Sequence, residues 1–278
     1  MSLSTLINNE AAFKNATAIA PVEAIPSALI MTHSTVMANI EGDQPTARIA
    51  YVSVDPTAEI TAEGAQINES QPTISELVVG TQKVAELTVI TNEAYRHDYV
   101  PELIGNSLSK AITAKADTLF LGAPASEDSE KANHVTGLVN YKGIVDGGTL
   151  DGSLDAIIDT MSIIAANGGT PSNIVMGFDA WAVLLKLKGA DKRAIISPDV
   201  ANSAEPMLFG VPVTLSNRCP AKTILILDSS EIISAVGEVQ AATSSERYFE
   251  NDSIGLRATF RFGYGILHPN RVAKIAVA

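Results

Sequence analysis

The stretch Ser253-Ile254-Gly255-Leu256-Arg257-Ala258-Thr259-Phe260-Arg261-Phe262-Gly263-Tyr264 alternates without a break. Ile254, Leu256, Ala258, Phe260, Phe262 and Tyr264 fall on one side. Ser253, Gly255, Arg257, Thr259, Arg261 and Gly263 fall on the other. Successive side chains of a strand point to opposite faces, so this spacing predicts one long strand with a dry face and a basic face. Arg257 and Arg261 then stand on the same face, either in solvent or ion-paired across a subunit boundary, where a guanidinium fork suits a carboxylate. Beyond His268 and Pro269 the chain closes with Arg271 to Val277, a further strand or a short helix and strand.

Working back from that strand, Thr223 to Leu227 is an apolar run too short for a helix, bounded by Pro220 and Asp228, and Asn173 to Met176 is similar. Both read as buried strands. Three helices are predicted. One starts near Pro101, with Ile104, Leu108, Ala111, Ile112, Ala116 and Leu119 at helical spacing up to Gly122. Another follows Ser153 with the stripe Leu154, Ile157, Ile158, Met161 and Ile164, ending at Gly168 and Gly169. A third starts at Asp179 and runs through Trp181, Leu184 and Leu185 towards Gly189. Residues 123 to 152 read as loop, with the cluster Gly147, Gly148 and Gly152 marking turns.

Nearer the start, Arg48 to Val54 and Ile74 to Ile90 are β-rich runs separated by the polar stretch 55 to 73, with Pro56, Gly64 and Pro72. They read as a hairpin extension, and a two-stranded ribbon is marginal in water, so it is expected to lie on something else. Residues 1 to 46, with Pro21, Pro26 and the turn-like run Glu41 to Pro45, read as an arm with a short helix. Helices and strands do not alternate regularly, which makes the fold class α+β rather than doubly wound.

Composition narrows the function. The 278 residues are 46% hydrophobic and 18% charged, the balance of a folded chain and not of a disordered one. Nineteen basic against 31 acidic residues give a formal charge of −12, which argues against a surface built to neutralise nucleic-acid phosphates and so against a DNA-reading protein. A single cysteine, Cys219, excludes an internal disulfide and a thiolate zinc cluster, and reads as a small buried residue before Pro220. No stretch approaches a membrane span, and no basic leader with an apolar run opens the chain, so no membrane partner is expected.

Chemistry-bearing patterns are sparse. His33, His97, His134 and His268 are isolated, with no second histidine at metal-helix spacing. Neither a nucleophile elbow nor a Walker loop is present, and Gly263 and Gly265 lie inside a strand rather than at a strand-to-helix turn. Asp151, Asp155 and Asp159 are at i, i+4 spacing, as on an acidic helix start that is favourable in its own right. No catalytic residue, cofactor site or metal site is expected, and the chain is not expected to be an enzyme.

Taken in order, these elements resemble the major capsid proteins of tailed bacteriophages, the Hong Kong 97-type family, from about residue 45 to the end. The resemblance rests on Glu63-Gly64-Ala65-Gln66-Ile67, on Lys83-Val84-Ala85-Glu86-Leu87-Thr88-Val89-Ile90-Thr91-Asn92-Glu93 directly before the long helix, and on Gly168 to Phe178. Leu208-Phe209-Gly210-Val211-Pro212-Val213 and Arg257 to Pro269 complete it. It implies an N-terminal arm over 1–45 and an extended loop over 46–91. It further implies a peripheral domain from 92–137 and 241–265 with a spine helix at 95–121, and an axial domain from 138–240 and 266–278. The implied function is a structural shell protein, tiling an icosahedron of pentamers and hexamers around double-stranded phage DNA contacted non-specifically. It would be a virion component assembled in the host bacterial cytoplasm with a scaffolding protein and a portal protein.

Within that reading Arg257 and Arg261 are expected to meet carboxylates of another copy, with Glu63, Glu69 and Glu76 of the extended loop as candidates. Many relatives begin with a cleaved scaffolding segment. This chain passes almost at once from Met1 to the arm, so scaffolding is expected to be separate or already removed. Some relatives cross-link through a loop lysine; here the only lysine between Lys14 and Lys110 is Lys83, at the base of the second strand, and no cross-link is expected. An encapsulin-like compartment is the alternative of the same fold, and a cytosolic α+β enzyme with a lid hairpin the alternative of another class.

Overall fold

The computed structural model of the chain describes residues 17–19, 21–40, 42, 44–54, 56, 58–61, 66, 68–97, 99–125, 134–188, 192, 196 and 206–278. Its elements in chain order are β1 (Thr17–Ile19), α1 (Pro21–Ala24), α2 (Leu29–Thr32), β2 (Thr35–Ile40), β3 (Thr46–Val54), β4 (Thr73–Gly80), β5 (Gln82–Thr91), α3 (Asn92–Tyr95) and α4 (Val100–Gly122). They continue with β6 (Val145–Leu150), α5 (Asp155–Ala166), β7 (Asn173–Met176), α6 (Phe178–Lys186), β8 (Met207–Leu208), β9 (Val211–Leu215), β10 (Thr223–Leu227), β11 (Ile232–Gly237), β12 (Val239–Tyr248), β13 (Ser253–Ile266) and β14 (Ala273–Val277). The α+β class and the long strand at 253–264 are as expected.

β13 organises the first sheet. One of its edges pairs with β5 from Ser253 to Phe262. The other pairs first with β12 and then, from Phe262 to Ile266, with β11. β1 and β2 extend the sheet beyond β12 and β11. The dry face of β13 carries Leu256, Phe260, Phe262 and Tyr264, which pack with Leu108, Ile112, Ala116 and Phe120 of α4. The Tyr264 hydroxyl, inside this core, lies within hydrogen-bond reach of the Phe120 and Thr136 carbonyls, which compete for its one proton, and burial holds the phenol well above its ordinary pKa.

The second sheet runs β6-β14-β10-β7-β9-β8. Ile174, Met176, Ile224 and Ile226 pack under α5 and α6 with Ile157, Ile164, Ala180 and Leu184. Val175, Leu225 and Leu227 point the other way, into the first core. Both faces of β7 and β10 are therefore covered, which is why their sequences are unbroken apolar runs without alternation.

Four differences from the sequence reading have physical causes. Residues 21–40 are no free arm: Ala24, Ile25, Ala28, Leu29 and Ile30 are buried in the first core, and β2 pairs in parallel with β11. The stretch 74–90 is two strands. The chain leaves β3 after Gly80, and buried Thr81 turns it into β5, with its hydroxyl donating to the Gln44 carbonyl. Within 123–152, read as loop, β6 forms through Gly147, where a Cβ would collide with Thr160 and Ile275. α6 opens at Phe178 with Gly177, not Asp179, at its cap; Asp179 instead accepts from the Lys222 N–H at 2.6 Å. That bond holds the Asp179 carboxyl below its ordinary range.

Candidate functional site

The second face of β13 splits into a covered and an open half. At its C-terminal half the β3–β4 hairpin lies on it: Ile49 and Val79 form a small core with Ile40, Ile233 and Ala235, and Leu77 packs on Gly265. Gly263 is required here. A Cβ would strike the Gly80 carbonyl and the Val79 side chain, so only glycine lets the hairpin come this close.

The other half of this face is only partly covered: the Tyr248 ring lies against Gly255, and Ser253 and Thr259 are buried. Arg257 is exposed there, flanked in register by Leu87 of β5 and Ala242 of β12. Leu87 and Val89 are also exposed, at about half their surface. Arg261 marks the boundary. It is half-buried, opposite Lys83, and donates to the Thr81 hydroxyl at 3.0 Å. Arg261, Lys83, Glu238 and Gln240 line a cleft of about 310 Å³ between the two halves.

The candidate carboxylates are not gathered around these arginines within the described part of one chain. Glu76 forms an ion pair with Arg48 of its own hairpin at 3.2 Å. Glu69 is exposed in the loop beyond β3, and Glu63 lies outside the described residues. The outer face of the hairpin is apolar as well, with Val52, Ile74 and Val78 exposed, and Ile60 in the loop is fully exposed. Leu87 and Val89 are legible in sequence as the alternating partners of Val84, Glu86, Thr88 and Ile90, although the same alternation is equally that of a hairpin strand.

A polar junction ties the parts together and was invisible in sequence. Glu231, buried at the start of β11, accepts from Arg271 at 2.5 Å, and its other oxygen lies 2.8 Å from His268 Nδ1. Arg271 also donates to the Asn167 carbonyl at the end of α5, and the His268 ring meets Tyr51 of β3 edge-on. Hairpin, first sheet and second sheet thus share one charge cluster. Of the other histidines, His33 is buried behind α2, and desolvation lowers its pKa to about 4. Cys219 is buried as read, and desolvation, with the Asp179 charge second, pushes its thiol up to about 12.

Comparison with known proteins places this architecture. The phage capsid family matches residues 28–277, and the chain belongs to that family. It is a structural capsid protein with the Hong Kong 97-type fold, a virion component. Among solved structures it is similar to the capsid of an empty GTA particle computed with C5 symmetry, at 15% identity and a TM-score of 0.70, over 90% of each chain. It is also similar to a Gordonia phage Cozz chain at 16% identity and TM-score 0.68, covering 96% of this chain and 89% of that one. A Mycobacterium phage Bobi chain matches at 17% identity and TM-score 0.66, over 90% of each. No curated protein sequence matches the chain directly.

Proposed function

We propose that copies of this chain assemble as pentamers and hexamers into an icosahedral shell around double-stranded phage DNA. Assembly would take place in the host bacterial cytoplasm, with a scaffolding protein and a portal protein as further partners. The division into arm (1–45), extended loop (46–91), peripheral domain (92–137 and 241–265) and axial domain (138–240 and 266–278) belongs to this reading, with the amendment that residues 21–40 serve the core of their own subunit.

The observation that carries it is a mismatch inside one chain. Residues 55–73 hold Asp55, Glu59, Glu63 and Glu69 with no lysine or arginine. The open half of the β13 face holds Arg257 beside exposed Leu87 and Val89. An acidic loop with an exposed isoleucine on one copy complements a basic and apolar sheet face on the next, and the contact repeats at every boundary. Deleting residues 57–73 should leave a folded chain that no longer forms shells by negative-stain microscopy. Normal shells from that deletion would end the assignment of the loop to a neighbour. Nucleic acid inside purified particles, rather than a loaded enzyme, distinguishes a phage shell from a cargo compartment.

A further inference from the structure

The helix side of the first sheet carries a feature that shell geometry alone does not use. From Leu103 to Gly122, α4 holds two cations, Lys110 and Lys115, both exposed, and one acid, Asp117, which is buried. The Asp117 carboxylate accepts from the Leu29 N–H at 2.7 Å and is thereby committed to the start of α2. Lys110 and Asn106, one turn apart, stand along a cleft of about 290 Å³ that is bordered on another side by Asn217 and Arg218 from the turn between β9 and β10; Asp117 also lines it, and its charge and that of Arg218 attract each other. Among the described residues neither the Lys110 ammonium nor the Arg218 guanidinium makes a salt bridge or a side-chain hydrogen bond. In a chain of net charge −12 such a pairing of cations across one cleft stands out against its surroundings.

We propose that this cleft binds a phosphate of the packaged nucleic acid's backbone. The inference rests on the shell reading above. A phosphodiester only accepts hydrogen bonds, and the cleft offers donors: the Lys110 ammonium, the Arg218 fork and the Asn106 and Asn217 amides. The Ser109 and Thr113 hydroxyl protons are already given to the Ala24 and Ser109 carbonyls and do not count. Among the described residues no aromatic side chain lines the cleft, so they offer nothing for a base to stack on, and contact with them carries no sequence preference. A neighbour's carboxylates fit less well. The acidic loop springs from the hairpin, which lies on the opposite face of β13 from α4. One cleft alone binds weakly; a shell repeats it at a regular spacing, and linked weak contacts add to a firm hold on a long polyanion.

The test uses the purified, unassembled full-length chain and a fluorescent 30-base-pair duplex, with anisotropy followed as salt is raised. Binding should weaken steeply with salt. The double substitution Lys110→Gln, Arg218→Gln should lower affinity about tenfold or more and flatten the log–log salt slope by about one to two, as expected for two lost phosphate contacts. Lys142→Gln, an exposed lysine away from the cleft, should leave both nearly unchanged, and inorganic phosphate should compete with the duplex in wild type but far less in the double variant. An unchanged slope in the double variant, or an equal loss in Lys142→Gln, would overturn the cleft. So would displacement of the duplex from the cleft by a peptide of residues 55–73 at lower concentration than phosphate, which would make it a protein contact. DNase-protected DNA in wild-type shells is read separately: its absence removes the shell reading, whereas shells that hold DNA with a cleft indifferent to substitution remove only this proposal.

Discussion

The second sheet and the hairpin use the same vocabulary of Val, Ile and Leu and reach opposite ends. In the second sheet every strand side chain from Ile224 to Leu227 is buried, half of them under α5 and α6 and half in the first core. In the hairpin the inward face, Ile49 and Val79, is buried, while Val52, Ile74 and Val78 on the outward face stay in water. A chain that could close the second sheet so completely did not lack apolar material to cover the hairpin. The difference locates what one chain completes for itself and what it leaves for a neighbour, because a contiguous exposed apolar surface is characteristic of an interaction site.

The largest effect should therefore come from the self-sufficient part. Phe260→Ala opens a cavity in the first core and should cost about 3–5 kcal/mol in chemical denaturation of the unassembled chain. Ile74→Ala, at a residue 72% exposed, should change that stability by less than about 0.5 kcal/mol and yet lower shell yield. Equal stability losses in the two variants would erase the distinction between completed core and reserved surface.

Where hairpin and body meet, Gly263 sharpens the comparison. A methyl group there collides with backbone at Gly80, which cannot swing aside as a side chain can, whereas at Gly265 the neighbour is the flexible end of Leu77. Gly263→Ala should cost about 1–3 kcal/mol and loosen the hairpin, seen as faster proteolysis within 55–72, with Gly265→Ala milder. A neutral Gly263→Ala would mean that the hairpin rides on the sheet without being seated in it.

These contrasts also explain what was legible in sequence. The strand at 253–266 and the helix from Pro101 to Gly122 have one face in a core and obey a single period, so they could be read directly. Thr81 was hidden because alternation runs on through it: Ile74 to Gly80 and Gln82 to Ile90 keep the same residue types while changing partner from β3 to β13. The segment 21–40 looked like an arm because its two helices are four residues each, too short to show a period. Arg257 and Arg261 were visible as a pair, but not that one is exposed and the other bonded to Thr81. Glu231, His268 and Arg271 lie up to 40 residues apart and carried no local pattern at all.

The α2 segment gives an intermediate, pH-dependent effect with two opposed parts. Burial raises the Asp117 carboxyl from 3.8 to about 6, so the folded state binds its proton more tightly than the unfolded chain does. Its contribution is most favourable below pH 3.8 and is lost as pH rises through about 6. His33 is the reverse: with a folded pKa of about 4 against 6.5, its contribution is present above pH 6.5 and is lost as pH falls through about 4. In wild type the two slopes partly cancel between pH 4 and 6. Asp117→Asn keeps an oxygen for the Leu29 N–H and removes the charge, so it should raise stability at pH 8 by on the order of 1 kcal/mol and steepen the acid loss below pH 6. A variant less stable at pH 8 would show that the carboxylate's bond to Leu29 outweighs its desolvation.

The smallest effect in the isolated chain should be at the Arg48–Glu76 pair, and its size in the assembly is what separates the two kinds of surface. The pair lies on the outward hairpin face with side chains 69% and 47% exposed, so water and salt screen it and holding two long side chains together offsets part of the attraction. Arg48→Ala should shift unassembled stability by about 0.2–1 kcal/mol, and 0.5 M salt should remove most of the difference. If a neighbouring copy covers this face, the same substitution strands Glu76 in a drier setting, where a lone charge is far more costly. Shell yield should then fall more in Arg48→Ala than in the double variant Arg48→Ala, Glu76→Ala, which leaves no charge behind. Equal yields in the single and double variants would place this face in solvent in the finished shell and restrict the neighbour's contact to the loop beyond it.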